Sequence, residues 1–319
     1  MKFITELSEG SKVSDIYFCK TKNIAITKNG KEYMSLTLQD KTGTIDCKIW
    51  EINSMGIDDF DALDFVDVTG DVTVFNNALQ LNIHRIRKAS EGEYVESDYF
   101  PVSPYDIEKM WNALMTYVNS IKNPYLLKLL KRFFAEDSEF SERFKKHSAA
   151  KSVHHGFIGG LLQHSVSVAS MCNYFAKAYP ILNRDLLMTA ALLHDMGKLW
   201  EISDFPENDY TDYGQLVGHI VIGSEKIGEV AKTIPNFPPV LLVELQHCIL
   251  SHHGELEYGS PKKPSLIEAM ALHLADDADA KIETMTELLD SKSLPRGEWY
   301  GYQRFLETNV RKTYGPNME

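Results

Sequence analysis

The chain has 319 residues, 44% of them hydrophobic and 24% charged, with a formal net charge of −12. That length exceeds one ordinary hydrophobic core and predicts two domains, while the acidic balance excludes a protein that coats duplex nucleic acid by bulk electrostatics but leaves room for a local basic groove. No apolar run approaches the roughly 18 residues that cross a bilayer, Met1–Glu6 meets acid and Gly10 before an apolar leader could form, and Cys19, Cys47, Cys172 and Cys248 contain no CxxC pair. No membrane association and a reducing cytoplasm are therefore expected.

The first stretch reads as short strands. Lys12 to Ile26 is followed by Asn29-Gly30, a hairpin signal. Met34, Leu36 and Leu38 alternate with polar neighbours, and after the Lys41-Thr42-Gly43 turn so do Ile45, Cys47 and Ile49. An irregular or helical stretch from Asn53 to Leu63 precedes Phe65 to Phe75. The Asn76-Asn77 turn then returns the chain through Leu79, Leu81, Ile83 and Ile86. Five strands with a helical insert between the third and fourth form the pattern of an OB-fold barrel, and Leu36 to Ile45 resembles the second-to-third strand hairpin of nucleic-acid-binding OB-folds. Such barrels stack bases on aromatics in a basic groove. Tyr17, Phe18, Tyr33, Lys48, Trp50, Arg85 and Arg87 are the candidates, with Lys20, Lys22 and Phe75 nearby; the alternative is that most aromatics are core and the lysines solvated edge.

From Ser103 the period becomes helical. Ser103-Pro104 is expected to cap a helix through Trp111, Leu114 and Val118, and Asn123-Pro124 to open a second. Of the eleven histidines only His84 precedes position 147, so the chemistry should sit in the second half. Leu192-Leu193-His194-Asp195-Met196-Gly197-Lys198 buries a carboxylate in an apolar helix, which is costly unless something balances its charge. A divalent metal does so, and imidazole with carboxylate suits manganese, iron, cobalt or zinc. Lys198 shares the general face of His194 and Asp195. Upstream, Gly159-Gly160 opens a helix with Leu161, His164, Val168, Met171 and Phe175 on one face. Downstream, Gly218-His219 opens a helix, Ser251-His252-His253-Gly254 closes another, and Ala275-Asp276 lies within a helix rich in Ala, Leu and Met. A lone histidine on an apolar stripe is more often a satisfied core residue; several in order point to metal.

The order His164, His194-Asp195, Lys198, His219, His252-His253, Asp276 resembles the HD-domain phosphohydrolases, an all-helical fold, with Ala275-Asp276-x-x-Asp279 similar to that family's closing A-D-x-x-D. The resemblance implies that His164, His194, Asp195 and Asp276 hold one ion. His219 with His252 or His253 resembles members that hold two ions, bridged through Asp195. Asp195 and Lys198 are the expected catalytic residues, Lys198 neutralising charge on phosphoryl oxygens. With an OB-fold ahead of it, the chain resembles the YhaM family of bacterial 3′-to-5′ exoribonucleases, and the run Ala149-Ala150-x-x-x-His154-His155-x-x-x-Gly159-Gly160-Leu161-x-x-His164 resembles that family in particular. The roles of His154 and His155 stay open between capping, packing and catalysis.

The expected organisation is a multidomain α+β chain. Residues 1–95 form an OB-fold nucleic-acid-binding domain, 96–148 a helical connector, 149–290 an HD phosphohydrolase domain and 291–319 a C-terminal helical, aromatic-basic tail. The expected function is a metal-dependent 3′-5′ exoribonuclease on single-stranded RNA, with single-stranded DNA as a further substrate. Manganese or cobalt is the expected cofactor, with iron or zinc as alternatives, in one or two ions; homo-oligomerisation is a further expectation. The competing readings are an HD hydrolase of a small nucleotide and a non-enzymatic nucleotide-binding adaptor. The run Trp299 to Phe305, followed by Arg311-Lys312, reads as an RNA contact, an oligomer contact or a helix covering the core.

Overall fold

The computed structural model describes residues 1–27, 29–151, 155–291 and 297–313. It divides into two compact units, 1–102 and 103–319.

In the first unit, strands β1 (Lys12–Ile26), β2 (Glu32–Asp40), β3 (Gly43–Ile49), β4 (Phe65–Phe75) and β5 (Ala78–Lys88) form a closed barrel in the order β1-β2-β3-β5-β4. The first part of β1 pairs with β4 and the second part with β2, which closes the barrel, while β3 and β5 run parallel. The alternation in β2 and β3 sends Leu36, Leu38, Ile45, Cys47 and Ile49 inward. In β5 the inward set passes from Leu81 and Ile83 to Ile86, a break in period two. The register shift opposite Thr69/Gly70 adds one residue there and turns the following side chains over.

Three expectations for this unit are corrected. The stretch 53–63 contains turns and no helix, because β5 holds it in extended contact: Ile86 N donates to Gly56 O and Asp58 N to Ile86 O. Tyr17 is fully buried inside the barrel, its hydroxyl donating to Lys2 O at 2.7 Å. Phe18 points the other way but is equally buried, since residues 94–100 fold over it; its ring centroid lies 4.9 Å from that of Phe100 and 5.5 Å from that of Phe65. Neither aromatic is available to a base.

The second unit contains α1 (Ile107–Asn119), α2 (Pro124–Lys131), α3 (Ser138–Lys146), α4 (Gly160–Ala178), α5 (Arg184–Leu193), α6 (Lys198–Glu201), α7 (Asp212–Val217), α8 (His219–Lys232), α9 (Pro239–Leu250) and α10 (Ile267–Ser291). Asn123 caps α2 as expected. Ser103 does not cap α1: Asp106 accepts from Lys109 N in that role, and the Ser103 hydroxyl instead donates to Gln163. Met110, Leu114, Leu126 and Leu130 enter the same apolar core as Leu161, Leu187, Leu192 and Leu272, so residues 103–146 pack with the later helices. The C-terminal segment, expected to be helical, is a hairpin of β6 (Trp299–Gln303) and β7 (Thr308–Arg311). Tyr300 and Val310 are buried on one side of it, and a bulge between Trp299 and Tyr302 interrupts the alternation. Among the described residues no helix is long and apolar enough to cross a membrane.

Candidate metal centre

Helix α5 is buried along nearly its whole length, and it delivers His194 and Asp195 at its C-terminal end into the interior of the second unit. α4 brings His164 and α10 brings Asp276 to the same place. Gly197, just after the His-Asp pair, lets the start of α8 approach: a Cβ there would stand 2.0 Å from His219 O and 2.9 Å from Gly223 N. A glycine is required at this crossing, and the crossing carries His219 to the site.

His164 Nε2 lies 3.0 Å from His194 Nε2, 3.1 Å from Asp276 Oδ1 and 3.4 Å from Asp195 Oδ2. His194 Nε2 lies 3.5 Å from Asp195 Oδ2 and 3.8 Å from Asp276 Oδ1. Ligands about 2.0–2.2 Å from one metal ion stand roughly 3–3.5 Å from each other. The four donors expected from the sequence therefore converge at the spacing of a single coordination sphere.

A second set shares Asp195. Its Oδ1 lies 3.5 Å from His219 Nε2 and 3.6 Å from His252 Nε2. All three atoms are buried without a hydrogen-bond partner. His253 completes a group with His219 and His252 whose candidate ligand atoms lie within 4.8 Å of one another. Three orphaned polar atoms in one spot are costly to bury, and a cation among them would remove the cost. The donor sets fit one or two divalent ions.

The opposite ring nitrogens explain why every Nε2 faces inward. His194 Nδ1 donates to Ala191 O at 2.9 Å, His252 Nδ1 to Ile249 O at 2.7 Å and His253 Nδ1 to Tyr258 O at 2.8 Å. His219 Nδ1 donates to Glu201 Oε1 at 2.9 Å and His164 Nδ1 to Asp279 Oδ2 at 2.7 Å. A carbonyl or carboxylate can only accept, so each Nδ1 carries the hydrogen and turns the other nitrogen toward the centre. Electrostatics follow the packing. Burial opposes charge on His164, but Asp276 and Asp279 outweigh it and push its pKa up to about 10. Burial holds His194 down at about 4 and His253 at about 3. Burial also opposes the Asp195 carboxylate, yet Lys198 and His194 keep it ionised well below the usual range. Lys198 Nζ stands 2.9 Å from Asp195 Oδ2, and that carboxylate overcomes burial to keep the ammonium charged.

Glu201 was not among the expected site residues. It accepts from both the backbone N and Nδ1 of His219, at 3.0 and 2.9 Å; the only sequence signal was its place one helical turn beyond Lys198. Asp279 marked the end of a motif and serves both His164 and His155, whose Nε2 lies 2.9 Å away. His155 thus supports Asp279 rather than facing the centre. His154 lies outside the described residues.

On the barrel, Tyr33, Lys48 and Trp50 come together. The Tyr33 and Trp50 rings stack at 5.0 Å, and Trp50 is 46% exposed with its Nε1 donating to Asn82 Oδ1. Lys48 Nζ donates to Ser35 Oγ on the same face and is 2.9 Å from Asp46. Arg85 is exposed further along β5. Arg87 is engaged by Asp67 and Glu93, and Lys22 donates to Phe60 O beneath the barrel wall.

Residues 161–281 match the HD domain family, and residues 13–89 match the OB-fold nucleic acid binding domain family. The chain is 35% identical to the 3′-5′ exoribonuclease YhaM of Geobacillus sp. (strain WCH70), over 91% of this chain and 88% of that one. A replication protein A heterotrimer bound to ssDNA is similar over 28% of this chain and 65% of its own, at 17% identity and a TM-score of 0.21. The second OB-fold domain of replication protein A from Methanococcus maripaludis is similar over 28% and 94%, at 22% identity and the same TM-score. Likenesses that weak say nothing of the barrel's ligand.

Proposed function

The chain belongs to the YhaM family of 3′-5′ exoribonucleases, and on that premise we propose that it shortens single-stranded RNA from the 3′ end by metal-dependent hydrolysis, using the centre at His164, His194, Asp195 and Asp276. It is a phosphodiester hydrolase with an HD domain and an OB-fold nucleic-acid-binding domain. The observation that carries the assignment of the centre is Asp195: one carboxylate oxygen faces the donors of α4, α5 and α10, and the other faces the orphaned His219 and His252 nitrogens.

His164, His194 and Asp276 would hold one ion and His219, His252 and His253 a second, with Asp195 between them. Bound divalent ions supply Lewis acidity, which lowers the pKa of water to the order of 7 in favourable sites and draws charge from a phosphate. Asp279, Glu201 and the three backbone carbonyls hold the imidazoles in the required tautomer. Lys198, kept protonated beside Asp195, would meet a phosphoryl oxygen as its charge grows. On the barrel, the Tyr33–Trp50 stack with Lys48 offers a base-stacking face with an adjacent cation. RNA is the proposed substrate and single-stranded DNA a weaker one. The imidazole-rich donor set favours manganese or cobalt over magnesium, which prefers oxygen ligands. Four buried free cysteines fit a reducing cytoplasm.

The test is a time course on separately 5′- and 3′-labelled RNAs after EDTA treatment and addition of single metals. We expect no turnover in EDTA and restoration by manganese or cobalt. With metal, a 3′ label should appear at once as mononucleotide and a 5′ label as a shrinking ladder. Internal cuts would overturn the exonucleolytic reading, full activity in EDTA would overturn the metal assignment, and activity on free nucleotides alone would place the chain among small-nucleotide hydrolases.

A further inference from the structure

The C-terminal hairpin has one side against the protein and one side in solvent. Tyr300 and Val310 are buried, and the Tyr300 hydroxyl donates to Leu289 O, which anchors the hairpin near the end of α10. On the open side Trp299, Tyr302 and Phe305 are 61, 63 and 55% exposed. The Arg311 guanidinium lies 5.7 Å from the Trp299 ring, its Nε held by Gly297 O. Between Trp299 and Thr313 the chain carries Arg304, Arg311 and Lys312 against the single acid Glu307. In a chain of net charge −12 this is a local reversal of sign.

The hairpin is fixed to the helix that carries Asp276. Its anchor at Leu289 is thirteen residues beyond Asp276, about 20 Å along the helix axis. Trp299, Tyr302 and Phe305, with Arg304 and Arg311 in the same hairpin, therefore offer an exposed aromatic and basic surface anchored to that helix.

We propose that the C-terminal hairpin forms a stacking track within the second unit for nucleotides upstream of the 3′ end of the RNA. This rests on the single-stranded RNA reading above. Single aromatic faces interleaved with cations suit unpaired bases on a phosphate backbone, because every base has a face to stack and each phosphate takes a cation. A track anchored about 20 Å along the helix from Asp276 acts only on substrates long enough to reach it.

The experiment uses full-length protein and the double variant Trp299→Ala/Tyr302→Ala, with kcat/KM measured on a dinucleotide and on a series of longer oligoadenylates. The ratio of variant to wild type should stay near one on the dinucleotide and fall with length to a plateau. The loss there should be roughly five- to a hundred-fold, the range for stacked bases. Trp299→Phe/Tyr302→Phe should recover most of it. An unchanged ratio at every length overturns the track. So does an equal loss on the dinucleotide, which would mean damage to the fold, or a fall in mass by light scattering with unchanged kinetics, which would assign the surface to a second copy. Anisotropy of a fluorescent oligonucleotide in EDTA makes the same comparison without turnover. A wild type that binds RNA through the hairpin but does not cut it would refute the proposed activity and leave the track standing.

Discussion

The two units treat polar groups in opposite ways. The barrel keeps its interior apolar and arranges its outward polar side chains in pairs: Lys48 with Ser35, Gln80 with Asp46, Trp50 with Asn82. The helical unit draws imidazoles and carboxylates into its core and leaves Asp195 Oδ1, His219 Nε2 and His252 Nε2 without hydrogen bonds. A surface that binds a strand by stacking can be fully satisfied before the strand arrives. A centre for a cation cannot, because the atoms that will hold the ion must be withheld from other partners. The unsatisfied atoms mark a place where stability is given up, as the proposed cation centre requires.

The contrast predicts separable consequences, the largest at Asp195. Asp195→Asn keeps the shape and removes the charge shared by both donor sets. Turnover should fall by about 10²–10³-fold or more, the scale for losing a strong transition-state stabiliser, while binding of single-stranded RNA persists. Purified Asp195→Asn protein with near-normal turnover would remove that carboxylate from the centre. Next in size is Glu201→Ala, which frees Nδ1 of His219. Loss of such an outer partner typically costs about 10–100-fold in metal affinity, so calorimetric titration should show one weakened site and one unchanged. Equal weakening of both would mean that the two donor sets act as one.

The smallest effects test the barrel. Trp50→Ala should weaken RNA binding by about 1–3 kcal/mol, read by anisotropy, with thermal stability little changed. Tyr17→Phe should do the reverse, since it removes only the buried hydroxyl bond to Lys2 O. That bond is worth on the order of 1 kcal/mol of stability, seen as a lower denaturation midpoint with unchanged RNA affinity. If Tyr17→Phe weakened binding instead, the separation between the barrel's interior and its binding face would fail.

Much of this architecture is legible in the residues themselves. Strict alternation along Leu36–Leu38 and Ile45–Ile49 settles which side chains line the barrel, since period two leaves one face inward. Glycine at 159 and 218 marks where helices start, and the His-Asp pair marks where a carboxylate needs a cation. These are local properties, carried within a few residues; that His164, His194, Asp195 and Asp276 form one set came from their order along the chain, which resembles the HD-domain phosphohydrolases. Tertiary structure alone decided three other matters. Phe18 is covered by residues 94–100, so its outward position on the strand does not make it a binding residue. The tail is a hairpin because Tyr300 and Val310 find a surface to bury against. Glu201, from α6, turns the His219 ring at the start of α8. Each depends on a contact between segments far apart in the chain, and a surface becomes core, or a carboxylate becomes an anchor, only when the fold supplies the partner.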